Sequence, residues 1–227
     1  LHSFPTRRSS DLVGEAAGDR IKILYGMEGY VFDDHDCVRS DGTIDYKKKN
    51  TNHIILIARN KTGLKHLYQL VSLSHLHYFY RRPRLPWSVL SAHREGLIIG
   101  SACEAGEVFR AITSGKSEEE LEDIARRYDY LEIQPLINNS FMIQKGMASD
   151  EEDLKRWNRK VVSLGETLNI PVVATTDAHY GHPEEAIYRN ILMSGQGYSD
   201  DGGGQGLYLR TTEEMLEERR PDRKSVV

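Results

Sequence analysis

The sequence predicts an α/β fold built around a parallel sheet. Three observations carry that prediction. Short apolar runs rich in β-branched residues alternate with segments of helical period. Apolar residues make up 39% of the 227 residues and charged residues 28%, which suits a globular chain and argues against disorder. No internal repeat competes with this reading.

In chain order, Ile21–Tyr25 is a short apolar run closed by Gly26, and it reads as a buried strand. Residues 33–52 are polar, with Asp41-Gly42 and Lys47–Lys49, and predict a loop or a worn hairpin. His53–Asn60 is a second strand. Leu64, Leu67, Tyr68, Val71, Leu73 and Leu76 then follow helical spacing. Pro83 and Pro86 break the chain. Leu97–Ala102 is a third strand, followed by a short helix over Glu104–Ile112. Ser117-Glu-Glu-Glu120 is a capping box that opens another helix. Tyr128–Pro135 is a fourth strand. Ser149–Glu152 caps a long helix reaching about Asn169. Pro171–Thr175 is a fifth strand, Pro183 opens a helix to about Met193, and a last helix starts at Thr211 or Thr212. Gly202–Gly206 lacks the Lys-Ser/Thr of a phosphate-cradling loop and reads as a flexible connection.

Composition narrows the function classes. The net charge of −4 makes a freestanding nucleic-acid binder unlike this chain, so any such contact must be a local patch. Arg81, Arg82 and Arg84 beside Tyr78-Phe79-Tyr80 form one candidate for weak DNA contact; a basic loop after a helix is the plainer reading. No apolar run approaches the roughly 18 residues that span a bilayer, so no membrane partner is expected. Two cysteines, Cys37 and Cys103, make no disulfide framework and point to a reducing, cytoplasmic compartment.

In parallel α/β folds, functional groups gather just beyond the C-terminal ends of strands. That rule selects Glu28, Cys103, Asp177 and His179. Asp177-Ala-His179 in extended backbone would aim a carboxylate and an imidazole the same way, a common means of holding a divalent metal. Cys103 at a helix N-terminus would have a lowered pKa, which suits a thiolate ligand. His53 stands at the front of its strand. Each has a structural alternative: Asp177 as a helix cap, Glu28 as a solvated carboxylate, Cys103 as a small buried hydrophobe, His53 as an edge histidine. His75-Leu-His77 lies in a helical stretch where i and i+2 face apart, and reads as structural. Asp33-Asp34 and Asp200-Asp201 are paired carboxylates in polar loops.

The two ends read differently from the rest. Residues 2–12 resemble the translation of a short-read sequencing adapter, and 222–227 that of its opposite strand. Neither an apolar leader core nor an A-x-A site is present. The expected organisation is therefore 1–12 and 222–227 adapter-derived, with 13–221 part of a longer domain.

Several segments taken together resemble a known family. They are Gly26-Met-Glu28-Gly-Tyr30, His53–Asn60, Gly63–His75, Arg94–Glu107, Tyr128–Pro135, Ala174–Tyr180 and Leu207–Leu216. In order, they resemble the polymerase-and-histidinol-phosphatase (PHP) domain of PolC-type DNA polymerase III alpha subunits of Gram-positive bacteria. The resemblance implies a (β/α)7-like distorted TIM barrel with a metal cluster at one mouth, here partial because N-terminal strands are missing. It places Glu28, His53, Cys103, Asp177 and His179 at ligand positions, His53 by the weakest alignment. It implies a divalent metal, Zn²⁺ or Mn²⁺, with Mg²⁺ for the parent polymerase. DNA and replisome subunits are its implied partners. Two departures are visible: the family's H-x-H and later Asp-His do not precede Glu28, and only 24 residues lie between Glu28 and His53, too few for the exonuclease usually inserted there. Two further readings stay open, a freestanding metal-dependent phosphoesterase and a catalytically inert structural barrel.

Overall fold

The computed structural model describes residues 14–16, 18–20, 22–35, 37, 46–47, 49–195 and 206–218. The two ends read as adapter, Asp41-Gly42, Asp200-Asp201 and Gly202–Gly204 lie outside the described residues. The described chain forms two compact units. One holds the residues up to Lys49 together with Ile55–Ile98; the other holds Asn50–Ile54 together with the residues from Ile99 on.

The strands are β1 (Gly26–Phe32), β2 (Asn52–Ala58), β3 (Leu85–Pro86), β4 (Leu97–Gly100), β5 (Leu131–Ile133) and β6 (Val172–Ala174). The helices are α1 (Lys61–Leu76), α2 (Trp87–Ala92), α3 (Glu107–Thr113), α4 (Glu118–Ala125), α5 (Phe141–Gln144), α6 (Glu151–Leu168), α7 (Ala186–Gly195) and α8 (Thr212–Glu218). Sheet order is β3-β1-β2-β4, with a second sheet of β5 and β6. β1 pairs with β3 and β5 with β6 in parallel, and a single parallel bridge from Gly100 to Tyr130 leads from β4 to β5. The parallel α/β class holds. The described strands do not close into a barrel.

In the first unit, Val31, Phe32, Leu56, Leu70, Leu85 and Leu90 are wholly buried or nearly so. Asn60 caps α1 by accepting the Gly63 N–H at 2.9 Å. The buried face of α1 is Gly63, Leu67, Leu70 and Ser74, while Tyr68, Val71 and Leu76 are exposed. Residues 22–25 of the expected first strand are not in one. The first described strand begins at Gly26, and the residues that become fully buried are Val31 and Phe32. Leu85-Pro86 pairs with Val31-Phe32 where the two prolines predicted only a break. Pro86 has no N–H to give a ladder, so it ends β3 and starts α2 at once.

In the second unit, Leu154, Trp157, Val161 and Leu164 give α6 a buried stripe at helical spacing. Trp157 packs edge-on against Phe109 of α3 at 5.8 Å between ring centroids, beside Met142, Ala148 and Leu154. The predicted capping box at Ser117 and Glu120 is present in both directions. Asp150, rather than Ser149, is the α6 cap, and Asn169 ends that helix in the left-handed conformation.

Candidate metal centre

The loop after β4 is built by close backbone approach. A Cβ on Gly100 would lie 2.2 Å from Cζ of Tyr130, and one on Gly106 would lie 2.0 Å from the Ser101 carbonyl oxygen. Only glycine fits either place. Ala102 between them is held at φ 60°, a left-handed conformation that a residue with a Cβ adopts at a cost of about 1–2 kcal/mol. The turn delivers Cys103, whose Sγ lies 3.5 Å from Nδ1 of His53. His53 is fixed independently: its N–H donates to the Ala105 carbonyl at 2.9 Å, and it bridges to Gly106 in parallel fashion. Residues fifty apart in sequence thus form one side of the site.

The other side follows β6. Thr175 N–H donates to Ile133 and His179 N–H to Leu207, while Asn138 Nδ2 donates to the Thr176 carbonyl at 2.8 Å. These bonds hold a loop in which Asp177 takes φ 51°. The extended backbone expected for Asp177–His179 is therefore absent, because Asp177 turns left-handed. The two side chains still stay close: Nδ1 of His179 lies 2.8 Å from the Asp177 carbonyl oxygen and 4.0 Å from its Oδ1. Non-glycine residues at positive φ gather where function requires strain, and two of the four described here adjoin Cys103 or are Asp177 itself.

Electrostatics join the two sides. Burial pushes the Cys103 thiol pKa up, the Glu104 carboxylate pushes it further, and Asp177 adds a smaller push. The lowered thiol pKa expected at a helix N-terminus is corrected by the position of α3. That helix is capped at Gly106, three residues beyond Cys103.

Glu28 does not lie beyond a strand end. It is the third residue of β1, exposed, in the first unit; the other four candidates belong to the second. Arg84 is also displaced from its expected role. It is buried, with its guanidinium 5.2 Å from the ring centroids of Phe32 and Tyr80 and 5.3 Å from that of Tyr46. It therefore cannot reach a DNA backbone, whereas Arg81 and Arg82 are exposed. His75 turns its ring back to the Val71 carbonyl of its own helix, as a structural histidine does.

Sequence reasoning missed Glu132. It lies in β5 between Leu131 and Ile133, all three buried. Its Oε2 accepts from Thr175 Oγ1 at 3.0 Å, while its Oε1 is buried with no hydrogen bond. Leaving such an oxygen unmet costs about 1–3 kcal/mol. Burial raises its pKa, and Asp177 raises it further. A carboxylate inside an apolar three-residue strand was the available signal: with both strand faces covered, its side chain had to enter the interior.

Among the described residues, no three His, Cys, Asp or Glu side chains stand at ready metal-ligand spacing. The donor set nevertheless fits a divalent cation in its chemistry. A thiol, two imidazoles and a carboxylate are borderline-soft donors of the kind zinc takes. Glu132, on the strand paired with β6, keeps a buried Oε1 with no hydrogen-bond partner.

The PHP domain family matches residues 7–135. Among curated proteins, the chain is 54% identical over 175 residues to the "DNA polymerase III PolC-type" of Clostridium perfringens, covering 77% of this chain and 12% of that protein. It is 50% identical to that of Bacillus subtilis over 76% of this chain and 12% of the relative. It is 45% identical to that of Bacillus cereus over 87% and 14%. The chain thus spans about one eighth of the length of the curated relatives it matches.

Proposed function

The chain belongs to the PHP domain family, and on that premise we propose that it is the metal-binding PHP portion of a PolC-type DNA polymerase III alpha subunit. The parent is then a cytoplasmic, DNA-directed DNA polymerase that uses Mg²⁺ and works with DNA and replisome subunits. Support comes from 37–54% identity to proteins of that name. No described helix is long and apolar enough to cross a membrane. Residues 13–221 belong to the PHP portion in this reading, and the complete domain is a (β/α)7-like barrel. Freestanding phosphoesterase and inert-barrel readings have no observation of their own in their favour.

The observations that carry the metal reading are the 3.5 Å contact of Cys103 Sγ with His53 Nδ1 and the push of Asp177 on the Cys103 thiol. Cys103, His53, Asp177 and His179 hold the cation, which is Zn²⁺ or Mn²⁺. A bound divalent ion supplies Lewis acidity and an activated water for attack on a phosphate ester. This chain's own residues supply the frame. The Gly100–Gly106 turn presents the thiol, the His53 N–H bond to Ala105 fixes the imidazole, and His179 braces the Asp177 carbonyl. Arg81 and Arg82 remain the candidates for DNA phosphate contact.

The test is dialysis of the purified chain against Zn²⁺ or Mn²⁺ followed by elemental analysis. At least one ion per chain is expected, and Asp177→Ala should lose it. Equal metal in wild type and variant would reject the assignment.

A further inference from the structure

We propose that Glu132 is a positioning residue for this cation site, holding the Cys103 and Asp177 loops in register and supplying charge that favours the bound ion. The proposal rests on the metal reading above. Three strand ends meet at this residue. Its backbone N–H donates to Ser101 Oγ at 2.9 Å, two residues before Cys103. Its Oε2 accepts from Thr175 Oγ1 at 3.0 Å, two residues before Asp177. One residue of β5 thus ties the loop after β4 to the loop after β6.

A brace alone would not need a carboxylate. Glutamine has the same length and would accept the Thr175 hydroxyl through its amide oxygen. The residue is instead an acid, 9% exposed, with Oε1 buried and unbonded. Burying a carboxyl oxygen with no hydrogen bond works against the chain without a cation. A nearby divalent ion offsets that cost, since a carboxylate close to a cation favours binding even without touching it. Glu132 therefore has two separable effects, one through Thr175 and Ser101 and one through its charge.

The experiment uses the full 227-residue chain with Co²⁺ as probe, following the sulfur-to-cobalt charge-transfer band and the thermal midpoint. Glu132→Gln keeps the acceptor for Thr175 and removes the charge. It should weaken Co²⁺ binding roughly 10- to 100-fold, while the metal-free thermal midpoint stays equal to wild type or rises. A purely structural role predicts the opposite, a lower metal-free midpoint with wild-type Co²⁺ affinity, and that result overturns the proposal. Thr175→Val removes only the hydroxyl and guards against a variant that fails to fold. It should also weaken Co²⁺ binding and shift the charge-transfer band; wild-type affinity and band in Thr175→Val overturn the proposal. A wild-type chain that takes up no Co²⁺ overturns the metal reading together with this one. Normal wild-type uptake matched by Glu132→Gln overturns this one alone.

Discussion

Sγ of Cys103 lies 3.5 Å from Nδ1 of His53, although fifty residues separate them. Two unrelated devices produce this proximity. A glycine-bounded turn after β4 carries the thiol, and a backbone bond to Ala105 carries the imidazole. If the pair holds a cation, Cys103→Ser should abolish the sulfur-to-cobalt band, and His53→Ala should keep a sulfur band but weaken Co²⁺ binding at least tenfold. An unchanged cobalt spectrum in Cys103→Ser would remove the thiol from the site.

The turn itself makes a stability prediction. A methyl group on Gly106 would meet the Ser101 carbonyl oxygen at 2.0 Å, and backbone cannot swing aside as a side-chain tip can. Gly106→Ala should therefore destabilise by at least the 1–3 kcal/mol typical of overpacking and should perturb the cobalt spectrum too. Gly115→Ala is the control. It has open space but φ 73°, so it should cost only about 1 kcal/mol of left-handed strain. Urea titration of the two variants compares them directly.

Acid should act at the α4 cap. The Lys116 ammonium, with the Ser117 N–H and hydroxyl, lowers the Glu120 pKa from 4.5 to about 2. Because the folded-state value is depressed, this group adds stability that is complete above about pH 4.5 and lost as pH falls toward 2. Glu120→Gln keeps capping oxygens but not the charge. Its thermal midpoint should fall below wild type at pH 6 and meet it near pH 2. A gap as wide at pH 2 as at pH 6 would show that the charge is not the cause.

Much of this fold was legible because its signals are local. The Ser117–Glu120 box, the α6 stripe from Leu154 to Leu164, and the apolar run at Leu97–Gly100 each depend on neighbours within a few residues. What was illegible depends on distant partners. β1 was placed five residues early because Ile21–Tyr25 is apolar, yet burial falls on Val31 and Phe32, which pair with Leu85-Pro86 some fifty residues later. That shift moved Glu28 from beyond a strand to within one. Cys103, Asp177 and His179 were selected because strand ends are loops with chemistry-bearing residues, and they do follow β4 and β6. Glu132 was passed over because it lies inside a strand, and its unmet oxygen is visible only once Thr175 and Ser101 are in place. Arg84 looked like a surface cation because its neighbours Arg81 and Arg82 are; the rings of Phe32, Tyr46 and Tyr80 that enclose it come from three different segments.

The most direct measurement is anomalous scattering at the zinc edge from crystals of the zinc-loaded chain. A peak is expected at ligand distance, about 2.0–2.3 Å, from Cys103 Sγ and from His53 or Asp177. Zinc bound elsewhere, with Cys103, His53, Asp177 and His179 all beyond ligand distance of any peak, would contradict it.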